Sequence, residues 1–142
     1  MVLLRGLEAK KLEEIVGAAP KKVREELYRR AGVKGRPNPY SLKSDGGARA
    51  EKLKAKLDEG TDPGREVEEE ILRAYFYARR RLLADALNHL GVKNNEGLTD
   101  QDLDFMQELE PEKVASLEKA LSAHDPDDVR LYLQMMGVPR AA

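Results

Sequence analysis

The chain has 142 residues, no cysteine, 36% charged residues and 5% aromatic ones, with a formal net charge of −1. That length suits one domain of ordinary size with a core of its own. The missing cysteines remove disulfides, thiolate metal sites and cysteine nucleophiles together, and the scarcity of alternating β-branched runs argues against a sheet.

In order, the chain reads as a succession of amphipathic helices. At the start only Val2, Leu3 and Leu4 precede the first charge. That is too short for a secretory signal, and no later stretch approaches a membrane span, so a soluble, cytoplasmic protein is expected. Residues 7–16 carry Leu7, Leu12, Ile15 and Val16 at helical spacing and meet Gly17. Pro20 opens a second helix through about Ala31, with Val23, Leu27 and Ala31 on its apolar line. Gly32 is its stop, and Val33 can fold back onto the last turn. Residues 33–47 contain two prolines and three glycines, which exclude a helix there. A loop of that length is often functional or mobile, with Tyr40 and Leu42 as its candidate anchors. A short helix at 48–58 then turns Ala50, Leu53 and Leu57 inward and closes at Gly60.

The stretch 65–90, REVEEEILRAYFYARRRLLADALNHL, predicts one long central helix. Glu66, Glu69, Glu70, Arg73, Tyr77, Arg80 and Arg81 fall on one narrow face. The remaining circumference, roughly 200° wide, is mostly apolar, so cover on two sides is expected. Asp62, Pro63 and the acids that follow signal its start, and Gly91 its end. Glu69 with Arg73, and Arg81 with Asp85, stand four apart and suit ion pairs. Arg79 alone falls in the middle of the apolar face. The plain reading lays its stem on the core and its head at the rim; the sharper one is a buried charge kept for a partner or ligand.

After this helix, Asn94-Asn95-Glu96-Gly97 reads as a turn. Thr99 and Asp102 resemble a capping box opening a helix to about Leu109, with Leu103, Met106 and Leu109 inward. Pro111 starts another, with Val114, Leu117 and Leu121 on one stripe. Asp125-Pro126-Asp127-Asp128 is the clearest helix start in the chain, and the helix it opens turns Val129, Tyr132, Leu133 and Met136 inward. The expectation is an all-α domain of about seven helices arranged around the long one.

Charge divides the chain unevenly. Residues 1–60 hold fifteen Lys or Arg against nine Asp or Glu, a surplus of +6, whereas residues 91–142 hold five against eleven, a deficit of −6. A basic N-terminal subdomain (1–60) is therefore expected beside the long helix and acidic C-terminal helices (61–142), the two sharing one cooperative core. Opposed charge of this kind suits docking of the parts on each other, or two surfaces for different partners.

No residue pattern points to catalysis. Asp100, Asp102 and Asp104 suggest a calcium loop, but that pattern needs glycine at Phe105 and glutamate at Pro111. His89 and His124 lack metal-ligand spacing, no serine sits in a nucleophile elbow, and no phosphate-binding glycine pattern occurs. Neither cofactor nor metal is expected, and the protein reads as a non-enzyme.

The basic front supplies the main functional hint. Lys21, Lys22, Arg24, Arg29, Arg30, Lys34 and Arg36 crowd one helix and the start of the loop, and Lys43, Arg49 and Lys52 continue the bias. Such density suits phosphate binding, against the plainer reading of a solvated face docked on the acidic end. VREELYRRAGVKG at 23–35 followed by GARAEKLKAKL at 47–57 resembles the two helices of SAP-type nucleic-acid-binding modules, with a longer connection that Pro37 and Pro39 interrupt. The resemblance is confined to residues 23–57, and it implies backbone-phosphate contacts from Lys43, Arg49 and Lys52.

Two functions follow as expectations. The first is a non-catalytic helical adaptor or assembly protein that binds another protein or itself. Its candidate surfaces are Arg73, Tyr77, Arg80 and Arg81 on the long helix, and Leu131 and Met135, which point away from the main stripe of the last one. The alternative is nucleic-acid binding by the basic residues between 21 and 56. The plain reading of Leu131 and Met135 is a second core contact.

Overall fold

The computed structural model describes residues 2–33 and 45–139. Among these the fold is all-helical: seven α-helices, no strand, and one isolated antiparallel bridge between Asn95 and Leu98. The helices are α1 (Ala9–Gly17), α2 (Lys21–Ala31), α3 (Asp45–Asp58), α4 (Arg65–Tyr77), α5 (Arg80–His89), α6 (Pro111–Ala120) and α7 (Pro126–Met135). Most of the stretch expected to be irregular at 33–47 lies outside the described residues, and with it Lys34, Arg36 and Lys43.

Seven is the expected number, reached by a different route. The stretch 65–90 is two helices, interrupted at Ala78 and Arg79. Arg79 has φ −126° and ψ 52°, its amide donates to the Phe76 carbonyl at 2.8 Å, and Leu82 N donates to its own carbonyl at 3.2 Å. The physical reason lies in Arg79 itself. A continuous helix would aim its guanidinium into the apolar stripe, where an ion is costly; leaving helical geometry there takes it off the stripe.

The helix expected before Leu109 shrinks to a 3-10 turn, Asp104–Glu108. Thr99 Oγ1 accepts from Gln101 N at 3.1 Å, and Asp102 Oδ1 accepts from Asp104 N at 2.8 Å. These are local caps on the turns that follow, and Pro111 limits how far a helix can run. Met106 and Leu109 are nevertheless buried, as the spacing requires.

The stop at Gly32 and the cap at Asp125 are as read, whereas α3 begins at Asp45, earlier than expected, and α4 at Arg65, beyond Pro63. Gly32 is left-handed at φ 78°, the Val33 amide returns to Tyr28 O at 2.9 Å, and Val33 is buried. Asp125 caps α7 by accepting from Asp127 N at 2.8 Å.

The chain forms two compact units, Met1–Tyr75 and Phe76–Ala142, with α4 running from the first into the start of the second. In the first, α3 packs on both α1 and α2. Its buried side chains include Leu3, Leu4, Leu12, Leu53, Ile71 and Tyr75. The N-terminal segment is thus part of this core. In the second, α5 packs on α6, and the buried set includes Leu82, Leu87, Leu117, Leu121 and Tyr132. Phe76 meets Tyr132 edge to face, ring centres 5.8 Å apart and planes at 67°. No helix among the described residues is long and apolar enough to cross a membrane.

Candidate protein-interaction surface

Tyr77 ends α4, four residues after Arg73, and the break that follows brings Arg80 back onto its ring. The Arg80 guanidinium lies 4.4 Å from the ring centre, and its Nη1 is 3.6 Å from Glu96 Oε2. The Asn94–Gly97 turn sets Glu96 in place. Asn94 Oδ1 accepts from Gly97 N at 2.9 Å, and Asn94 Nδ2 donates to Asn88 Oδ1 at 2.9 Å. Gly97, at φ 87°, presses on the first turn of α5: a Cβ there would stand 2.8 Å from Arg80 O and 2.9 Å from Ala84 N. Only glycine allows both that approach and that torsion. The outcome is a tyrosine 57% exposed, with the Arg80 guanidinium over one side of its ring. Arg81 next to it is exposed, and Arg73 lies 3.6 Å from Glu69.

The second expected surface is corrected. Leu131 is fully buried, Met135 is half-buried, and the consecutive Leu131, Tyr132 and Leu133 are all buried. Three successive residues sweep about 200° of a helix, so α7 is covered on two sides and Leu131 belongs to the core.

Three arginines of the basic front, Arg29, Arg30 and Arg49, pair with acids of their own unit. Glu25 grips Arg49 through two bonds, at 2.8 and 2.9 Å, while the Arg49 guanidinium lies 3.9 Å from the Tyr28 ring centre. The Arg49 side chain is 14% exposed. Glu26 accepts from Arg29 Nε at 3.1 Å and from Arg30 Nε at 2.8 Å, and Arg30 also reaches Glu66 at 2.8 Å. Those two arginines hold the Glu26 carboxyl at about 2, and Arg49 holds Glu25 below its ordinary value. The position that the SAP likeness gives to a phosphate contact, Arg49, therefore faces inward. Lys21, Lys22 and Lys52 are exposed, and Arg24 is half-buried.

Three arrangements had no local signature. Glu68 on α4 is fully buried, accepts from Leu4 N at 2.8 Å and ties the N-terminal segment to the helix. Burial pushes its carboxyl up, against the opposing pull of the Leu4 and Leu3 amides. Asp85, expected to pair with Arg81, instead takes His124 Nε2 at 2.7 Å, and His89 Nε2 lies 2.9 Å from Ser116 Oγ. No grouping of three or more His, Asp or Glu able to hold a metal occurs among the described residues, and within the Asp100–Asp104 run Asp102 Oδ1 accepts from the Asp104 amide.

Comparison with protein-family models, with curated proteins and with solved structures finds no match to this chain.

Proposed function

We propose that the protein is a non-catalytic helical adaptor that engages another protein, or a second copy of itself, through the Tyr77 face. The observation that carries this reading is the exposed Tyr77 ring with the Arg80 guanidinium over one side of it. Tyrosine and arginine dominate binding energy at protein interfaces, and a ring fixed beforehand loses little freedom when it is covered. Tyr77, Leu98 and Phe105 are the large apolar or aromatic side chains left exposed among the described residues, and all three belong to the second unit.

Nucleic-acid binding is the second reading, and the ion pairs of Arg29, Arg30 and Arg49 leave it less support than the sequence alone suggests.

The test compares wild type with Tyr77→Ala by sedimentation over a range of concentrations and by photocrosslinking from the exposed position 81 in cell extract. A self-association or a discrete crosslinked partner present in wild type and lost in Tyr77→Ala, with helicity unchanged, supports the reading. A monomer whose crosslinks do not depend on Tyr77 defeats it.

A further inference from the structure

A separate candidate site lies within the second unit, where the end of α5, the 3-10 turn and the first half of α6 come together. It is a pocket of about 220 Å³ lined by His89, Leu90, Phe105, Leu109, Lys113 and Ser116. Helix spacing decides which α6 residues reach it. Lys113 and Ser116 stand three apart, on one face, and the packing of α6 on α5 brings Ser116 to His89. Ser116 Oγ lies 2.9 Å from His89 Nε2. Leu109 is buried and Leu90 half-buried, but Phe105 is 40% exposed in a chain that buries its other phenylalanine, Phe76.

The lining has two characters, which together select a ligand. Three side chains are apolar, and the other three offer an ammonium, an imidazole and a hydroxyl. Asp104, Glu108 and Glu112 are exposed nearby in sequence but do not line the pocket, and no acid among the described residues pairs with Lys113. The last carbonyls of α5 are occupied, Leu87 O by Val92 N at 2.9 Å and Asn88 O by Gly91 N at 3.2 Å, so they do not confront an anion unpaired. With Nε2–H donating to Ser116 Oγ, the hydroxyl proton is free to turn to a ligand oxygen, beside the donors of Lys113. One ammonium and one hydroxyl suit a single negative charge. The volume is below the roughly 300–1,000 Å³ of cavities for drug-sized ligands, so one apolar group and its anionic head fill it. We infer that this pocket binds a carboxylate carrying one leucine-sized apolar group, its oxygens on Lys113 and Ser116 and its apolar part against Leu90, Phe105 and Leu109. The C-terminal residue of a peptide and a free small acid share this chemistry. The site goes beyond the Tyr77 reading and does not depend on it.

The probe is N-acetyl-leucine, titrated into the full chain and followed by the NMR signals of His89, Lys113 and Ser116. Saturable shifts are expected, with a dissociation constant of about 1 mM or tighter. N-acetyl-leucinamide, which lacks the charge, binds about tenfold more weakly or not at all. Lys113→Gln and Phe105→Ala each weaken N-acetyl-leucine by about threefold or more, and both positions are exposed, so helicity is unchanged. Lys119→Gln, at an exposed lysine of α6 outside the pocket, leaves the affinity as it is and controls for net charge. A peptide ending in leucine with a free carboxylate separates the two sources. Binding about tenfold or more tighter than that of N-acetyl-leucine assigns a chain terminus, and equal or weaker binding assigns a free acid. The assignment is overturned by an absence of shifts at about 10 mM ligand, by equal binding of acid and amide, or by an equal response to inorganic phosphate. Binding that neither Lys113→Gln nor Phe105→Ala alters overturns it as well.

Discussion

Each unit contains the same trio, a tyrosine, an arginine stacked on its ring and a glutamate holding the arginine, and the two copies serve opposite ends. In the first unit, Tyr28 is 5% exposed, Arg49 lies 3.9 Å from its ring centre, and Glu25 grips the guanidinium with two bonds. In the second, Tyr77 is 57% exposed, Arg80 lies 4.4 Å from the ring, and Glu96 is 3.6 Å away with its side chain 80% exposed. The first trio is a brace that closes a face. The second is a platform that leaves one open. What separates them is burial: a stacked, paired arginine in a partly dry setting stiffens a fold, and the same arginine in water stiffens only the ring beneath it.

The widest separation is expected on removing the tyrosines. Tyr28→Ala should cost about 3–5 kcal/mol, as for other buried aromatic truncations, whereas Tyr77→Ala should change stability by less than about 0.5 kcal/mol. Urea denaturation of both variants reads this directly. A Tyr77→Ala loss comparable to that of Tyr28→Ala would show Tyr77 to be core and remove the proposed surface. Next come the glutamates. Glu25→Gln takes the carboxylate charge away from a guanidinium that is only 14% exposed, and about 1 kcal/mol should be lost, a figure reduced for Glu25's own exposure. Glu96→Gln should cost less than about 0.5 kcal/mol. Equal losses would mean that the two trios do not differ in kind.

The same contrast marks what the sequence made legible. Helix punctuation was readable wherever a local residue decides it, as at Gly32, Asp125 and Gly97, because capping and turn bonds join near neighbours. Periodicity identified Leu12, Leu53 and Leu117 as core for the same reason. It left Leu131 open between a partner surface and a second core contact, and the burial of Leu131 assigns it to the core. It ran α4 and α5 together because Arg79, singled out on the apolar face, was read as a side chain laid along an unbroken helix and not as the place where the helix breaks. In the basic front, the Glu26 pairs with Arg29 and Arg30 are local and open to a reading by spacing, whereas Glu25 with Arg49 and Glu66 with Arg30, 24 and 36 residues apart, have no local signature. The Asp85–His124 contact, 39 residues apart, is of the same kind. The Tyr77 surface was legible in its residues, but not in the stack that fixes it, since that depends on the helix break.

Titration of the first unit should sharpen the picture by opposing slopes. Glu25 and Glu26 are held below the ordinary carboxylate value of 4.5, Glu26 at about 2, by their arginines. Their contribution is present above 4.5 and is lost as pH falls towards 2. Glu68 is raised by burial, so its contribution is present below 4.5 and is lost as pH rises through its raised value. Glu68→Gln should therefore gain stability relative to wild type as pH increases from 4.5, with urea midpoints of the two proteins diverging. Parallel curves would mean that Glu68 carries its charge in the fold at no net cost.

The smallest effect is expected where the sequence looks most functional. Lys21 and Lys22 are exposed at the start of α2, and replacing both with glutamine should leave stability within about 0.5 kcal/mol. Their bearing on function is read by titrating mixed-sequence DNA and RNA at two salt concentrations. A phosphate-binding face releases counterions in proportion to the cations it presents, so affinity falls steeply with salt and each removed lysine lowers the slope by about one. With Arg29, Arg30 and Arg49 already paired to Glu26, Glu66 and Glu25, phosphate must displace a carboxylate before it can gain those arginines. Binding should accordingly be weak at low salt, with a shallow slope that Lys21→Gln and Lys22→Gln flatten further. Tight binding with a steep slope, restored towards wild type by Glu26→Gln in the double-lysine background, would show the ion pairs to be a latch on a phosphate site. The front of the molecule would then be the working surface, and the open trio at Tyr77 an accessory to it.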